Sequence, residues 1–354
     1  MSGSLEEFEK GTDDLRSYIV GLQLERRLLA AKSADPPCSE SDQIATEIRG
    51  NIGTGSNKRR FDYNTVIVSL YGLFEQLVEG LIREYATRLQ NACPKYVDLP
   101  ERLRNANAEM TVELLPKLEF SRYKGRLQIP QVIANLHSCL SGADTYLLNL
   151  EALQQHSANF RSDVLAQLFT RIGIEQVLQR LSRYEPFTSF MSARFEGKPV
   201  ASIPNEQVYA QLNDLAERRN DVAHGVTSDI LSIPILLDIL SYTLALGRSL
   251  YALVHDDAVA IEASARGMYL GKPIAVYNHS IVCFRLCNQK LRIGDTLVML
   301  NTKWPNSCLS GPVLEIQVEG VGYEEVPAAP FIDVGCRVGF RAVQQYEYAL
   351  LPQA

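Results

Sequence analysis

The chain has 354 residues, a formal net charge of −6, and a composition that is 46% hydrophobic and 21% charged. That length exceeds one hydrophobic core and predicts two domains, while the composition is that of an ordinary soluble globular protein. The acidic balance excludes a global basic field of the kind that holds nucleic acid non-specifically, so any contact with a polyanion has to come from a local patch.

Apolar residues at helical spacing (Leu5, Phe8, Leu15, Ile19, Leu22) predict one long amphipathic helix over 5–32. Met1 to Glu7 has neither a basic start nor an apolar run, so no signal peptide is expected. Residues 33–57, rich in Ser, Pro, Gly and Asp, predict a mobile loop. It leads into Lys58-Arg59-Arg60, the densest basic cluster, which is either a phosphate contact or a solvated edge. Residues 61–92 form a second long helix with Val66, Leu70, Leu73, Leu77, Leu81 and Tyr85 on one face. Glu75 and Glu79 lie four apart on the neighbouring stripe, where a surface pair is expected. Pro94 and Pro100 end that helix.

Shorter helices are expected at 101–120, 131–140 and 145–153, the first two divided by a Lys124-Gly-Arg126 turn. Helical runs at 164–169 and from Ile174 follow. Residues 183–204 hold Pro186, Gly197, Pro199 and Pro204 and read as an ordered loop. Asn205 is expected to cap the next helix, which closes with Leu215-Ala-Glu-Arg-Arg-Asn-Asp-Val-Ala-His-Gly225. Gly225 stops it, because glycine alone takes the left-handed backbone there without a Cβ clash. Asn220 and His224, four apart, share a face. Arg219 has to reach round to them, or across to a partner subunit. An imidazole that titrates near neutrality beside a permanent guanidinium suits phosphate chemistry. The same residues also read as a histidine stabilised by the helix dipole, with Arg219 paired to Asp214, Glu217 or Asp221.

Ser228-Asp229 start a helix running to about Val254, apolar on more than one side, which places it at the centre of a bundle or in a subunit interface. Its apolar run is broken by Ser232, Pro234 and Asp238 and does not read as a membrane span. Beyond a boundary at 257–270 the pattern changes to short β-type runs at 273–277, 281–286, 296–300, 313–318 and 336–341. The expected fold class is multidomain α + β: an all-α bundle over 1–258 and a small closed β-barrel over 268–354. The seven cysteines are odd in number and scattered, as in a reducing cytoplasm. Cys283-x3-Cys287 lacks zinc-site spacing, so buried thiols are expected there and no metal. A P-loop is absent, which excludes a GTPase.

Arg219-Asn220-x3-His224, with Leu215, Ala216, Val222, Ala223 and Gly225 around it, resembles the Arg-polar-x3-His signature of the HEPN superfamily. Residues 61–75 resemble that family's early helix, and His156-Ser-Ala-Asn159-Phe-Arg161 with Leu168-Phe169 and Ile172-Gly173 resembles the segment before its core helices. The resemblance covers residues 5–255. It implies a metal-independent endoribonuclease, without cofactor, that cleaves RNA by attack of a 2′-hydroxyl on the adjacent phosphorus. His224 would serve as base or acid, Arg219 would stabilise the charge on the phosphate oxygens, and Asn220 would hold the imidazole in one tautomer or donate to phosphate. Arg218 and Lys58, Arg59 and Arg60 would bind substrate, and Glu75 or Glu79 would orient the Arg–His pair. It further implies a homodimer through the helical domain, and a toxin or anti-phage defence effector restrained by an antitoxin, an activating signal or a gating loop. The barrel, through Leu291-x-x-Gly-Asp295, Val313-x-x-Ile-x-Val318 and Gly335-x-x-Val-Gly339, resembles the second domain of translational GTPases. That likeness implies tRNA, the ribosome or another part of the translation machinery as target. Two other readings are a catalytically silent nucleotide- or protein-binding module and an interaction scaffold, and none of the three involves a membrane.

Overall fold

The structure is a computed structural model that describes residues 3–30, 40–51, 55–156, 158–226, 229–300 and 308–353. Its helices are α1 (Gly3–Ala30), α2 (Glu40–Asn51), α3 (Gly55–Ala92), α4 (Glu101–Leu114), α5 (Ile129–Leu140), α6 (Leu150–Leu153), α7 (Ser162–Arg171), α8 (Val177–Leu181), α9 (Phe187–Arg194), α10 (Asn205–Val208), α11 (Ala210–Ala223) and α12 (Ile233–Arg266). After Gly267 come the strands β1 (Met268–Gly271), β2 (Ala275–Tyr277), β3 (Ile281–Leu286), β4 (Leu291–Arg292), β5 (Thr296–Leu300), β6 (Cys308–Val318), β7 (Val321–Tyr323), β8 (Glu325–Val326), β9 (Ile332–Val338) and β10 (Glu347–Leu351). An all-α bundle followed by a β-sheet domain is therefore the observed class.

Two compact units are built from separated stretches of sequence. The first comprises Met1–Leu81, His156–Thr170 and Glu175–Tyr251. Its core joins Leu15, Ile19 and Leu22 of α1, Val66, Ile67, Leu70 and Tyr71 of α3, Leu215 and Ala216 of α11, and Leu236, Ile239 and Leu240 of α12. Each of these aliphatic side chains, once fully buried, contributes roughly 1.5–3 kcal/mol. Gly247 allows α12 its close approach: a Cβ there would lie 2.5 Å from Phe8 and 2.8 Å from Leu77. Both α3 and α12 are long and apolar enough to cross a bilayer, yet their apolar residues fill this core.

Several local expectations are corrected. Within the predicted loop 33–57, residues 40–51 form α2, with Glu40 and Asp42 in its first turn and Arg49 in its last, the charge order that favours a helix dipole. Residues 31–39 and 52–54, and Ser228 as a cap, lie outside the described residues. The 183–204 segment carries α9 behind a cis Glu185–Pro186 bond. The helix expected from Asn205 is interrupted at Tyr209, whose ring is buried and whose hydroxyl donates to the Leu178 carbonyl at 2.6 Å. Tyr146 is non-helical, and its hydroxyl donates to the Cys93 carbonyl at 2.9 Å, so the 145–153 helix shrinks to α6.

The second unit comprises Ile82–Gln155, Arg171–Ile174 and Ala252–Ala354. Its strands run β1-β10-β5-β6-β9-β3-β2, with β7 added on β6 and β4–β8 as a separate pair. The expected closed barrel is not formed. The path has two free ends, β1 and β2, of four and three residues, and the β1–β10 register shifts between Tyr269 and Gly271. Closure needs edge strands that pair along a continuous register. The sheet is therefore an open half-barrel, and the likeness to the second domain of translational GTPases falls with it. One face packs on a core of Val282, Phe284, Leu286, Leu297, Val313 and Tyr348. On β5 and β10, Val298, Ala349 and Leu351 pack instead against Val259, Ala260 and Ala263 of α12, so these two strands are covered on both faces.

In the same unit the Arg88 guanidinium grips the Glu262 carboxylate with two nitrogens, one at 2.8 Å, and its Nη1 lies 3.2 Å from His255 Nδ1. Burial, together with the Arg88 charge, pushes His255 down to about 4. The ring is thus neutral in the folded state, whereas the unfolded ring takes up a proton below about 6.5. Its contribution to stability is complete above that value and is lost as pH falls from about 6.5 toward about 4, by on the order of 2–3 kcal/mol. Thermal melts across that window should show the loss, and His255→Asn should flatten it.

Candidate functional site

The signature occupies α11 and lies in the first unit. Leu212, Leu215 and Ala216 bury one face, which fixes the rotation of the rest. His224 follows the last helical turn: its N–H donates to the Asn220 carbonyl at 3.0 Å, and Gly225, at φ +73°, ends the run. The His224 and Asn220 side chains are exposed, and among the described residues neither makes a side-chain hydrogen bond or ion pair. Five residues on a helix rotate by about 140°, so Arg219 points away from His224 and leans on the bundle. Its guanidinium carbon sits 5.3 Å from the centroid of the Tyr71 ring, a cation–π contact on a buried platform.

Tyr71 is fixed from both sides. Its hydroxyl accepts the Phe160 N–H at 2.9 Å and lies 3.5 Å from Glu75 Oε1 as a donor. Burial first, then the neighbouring carboxylate, pushes this phenol up to about 12, which keeps it neutral. Glu75 and Glu79 in turn face an imidazole, but it is that of His156 and not of His224. His156 Nε2 lies 3.1 Å from Glu79 and 3.6 Å from Glu75, and Nδ1 lies 3.1 Å from the Ala158 carbonyl. Both ring nitrogens thus face acceptors, which only the doubly protonated ring satisfies. Burial opposes that charge, but the Glu79 hydrogen bond, the Ala158 carbonyl and both carboxylates outweigh it, and the pKa stands above the ordinary histidine value. The Phe160 ring lies tilted against the imidazole, with the centroids 4.3 Å apart. The segment is held to α11 as well: Asn159 donates to the Ala216 carbonyl at 3.3 Å, and Ser162 N–H to Asn213 at 2.8 Å.

The structure thus connects Arg219, Tyr71, Glu75, Glu79 and His156 in one half-buried network. It keeps His224 and Asn220 as a separate exposed pair. Arg218 is turned elsewhere. It donates to Asp214 at 2.8 Å, to the Tyr63 hydroxyl at 3.0 Å and to the Asp229 carbonyl at 3.2 Å. Burial lowers its pKa, but Asp214 and Tyr63 more than compensate and raise it. With Glu217 and Asp221 these groups line a pocket of about 160 Å³, acidic enough to repel phosphate. Lys58 is likewise held, at 2.8 Å from Glu25 and 3.1 Å from Asp62. Arg59 and Arg60 are exposed. No group of three His, Cys, Asp or Glu among the described residues is arranged to hold a metal.

A family profile described as RiboL-PSP-HEPN matches residues 39–256, more than half of the chain. The chain belongs to this HEPN family. No curated protein and no solved structure shows significant similarity to it. The HEPN span runs from just before α2 into α12 and contains every residue of the network above. Sequence reasoning undervalued two of them. The resemblance gives His156 no role, although two carboxylates four residues apart on α3 need a cationic partner once buried. Tyr71, at the same spacing from Glu75, stood inside the matched early helix.

Proposed function

We propose that this HEPN protein is a metal-independent endoribonuclease in which His224 exchanges the 2′-hydroxyl proton and Arg219 steadies the charge growing on the phosphate. The observation that carries the reading is the contrast on α11: an imidazole left exposed at the helix end, and a guanidinium pre-placed on an aromatic platform five residues before it. A positioned donor of this kind stabilises developing charge with little reorganisation. Because the two groups leave α11 in different directions, a twofold pairing of α11 helices would let Arg219 of one protomer meet His224 of another, which fits a homodimer. Family membership supports a place among RNA-directed toxins or defence effectors with a restraining partner. The tRNA and ribosome target rested on the closed barrel and is not retained. Cytoplasmic residence follows from this reading.

Purified protein incubated with RNA in EDTA should leave 2′,3′-cyclic phosphate ends, read by mass spectrometry of the fragments. Intact RNA under all conditions would defeat the catalytic reading. The acidic surroundings of Arg218 favour one alternative, a silent HEPN module that binds a protein.

A further inference from the structure

A cationic surface outside the signature stands on the turn that follows α4. Leu118 and Tyr123 are buried in a small core with Met110, Leu114, Val132 and Ala152, and between them the chain is thrown outward. Tyr123 and Lys124 N–H groups both donate to the Phe120 carbonyl at 2.9 Å, and Arg126 N–H donates to the Tyr123 carbonyl at 2.9 Å. Gly125, at φ +78°, supplies the left-handed step this turn requires. The turn is therefore a fixed platform, and it presents Arg122, Lys124 and Arg126 as exposed side chains beside Phe120, which is 62% exposed. Arg122 lies 5.7 Å from the centroid of the Tyr123 ring, and Glu119 contacts Lys124 at 3.6 Å, joining side chains that are 81% and 70% exposed. Such a pair is weak and is exchanged readily for a phosphate.

Two facts decide the chemistry of the ligand. Cations alternating with an exposed ring offer phosphate contacts and a stacking face together, the combination that holds single-stranded nucleic acid. Of the cations singled out earlier, Lys58 and Arg218 are already held by carboxylates. We propose that the Phe120–Arg126 turn is the docking surface for single-stranded RNA in this protein. The proposal rests on the RNA reading above and names where that substrate is first held.

The test uses the full chain and a fluorescent 2′-O-methyl oligouridine, which lacks the attacking hydroxyl and so reports binding without cleavage. The wild type should bind with a salt-dependent affinity. Arg122→Glu/Lys124→Glu/Arg126→Glu should bind at least about 10-fold more weakly at low salt, with the salt slope reduced by about 2, since each single-strand phosphate contact contributes about 0.7. Phe120→Ala should weaken binding at every salt concentration with the slope unchanged. A parallel variant with Gln at the three basic positions, with an unchanged melting curve, guards against misfolding. No binding by the wild type, equal binding by the triple variant, or loss confined to Arg59→Glu/Arg60→Glu would overturn the proposal. So would binding to phosphatidylserine vesicles in place of the oligonucleotide. Failure to cut ordinary RNA would count against the catalytic reading alone.

Discussion

Replacing His224 by alanine is expected to lower RNA cleavage by about 10²–10⁴-fold, the range that a lost proton-transfer group commands, while leaving the melting temperature unchanged. The second half of that expectation follows from the exposure of the ring and from its lack of side-chain partners among the described residues. Arg219→Ala should reduce the turnover number by about 10²–10³-fold, as removal of a charge-stabilising donor does elsewhere. Its stability cost is the Tyr71 contact only, about 0.5–2 kcal/mol. Tyr71→Phe separates platform from tether: it keeps the ring beneath Arg219 but removes the hydroxyl that holds Phe160 and Glu75. Cleavage should survive that change, with a stability loss of about 1–3 kcal/mol from the orphaned buried N–H. If Arg219→Ala and His224→Ala both lower the melting temperature by several degrees and leave RNA cleavage alone, the pair is structural.

Arg88→Met should be the most destabilising single change in the second unit, costing about 3–5 kcal/mol, because it strands a buried carboxylate. The Glu262 side chain is 5% exposed, and without Arg88 its remaining cation is Arg266 at 3.7 Å, itself largely in solvent. The double variant Arg88→Met/Glu262→Leu should recover most of the loss, since a well-packed apolar pair can match a buried ion pair. Chemical denaturation of both variants and of Glu262→Leu measures the coupling directly. A double variant as unstable as Arg88→Met would show that packing, and not charge, governs the site.

The long helices were legible because their apolar residues recur at helical spacing over many turns, and the core assembles Leu15, Ile19, Val66, Leu70 and Ile239 as that spacing requires. The helix α2 was hidden by Ser, Pro and Gly on either side of it, although acidic residues opened it and Arg49 closed it. Alternation revealed β3 and β5, but pairing is a property of the sheet as a whole, and short strands at its ends do not announce whether they will meet. At the site, the α11 motif was readable as a string. What it could not show was rotation. Arg219 turns onto Tyr71 and Arg218 turns the other way, to Asp214 and Tyr63, a choice set by which neighbours fill the core. The carboxylates of Glu75 and Glu79 were recognisable as a pair, but their partner lies 77 residues from Glu79, at His156.

The stretch shared with the HEPN family ends at residue 256, about two-thirds of the way along α12. The turns just past it carry Val259, Ala260 and Ala263, the seat of β5 and β10. A gene fragment cut at the family border would therefore amputate the last turns of α12 and strand Arg88 without Glu262. A cut past Gly267 keeps the Arg88–Glu262 pair but leaves Val259, Ala260 and Ala263 without the strands that cover them.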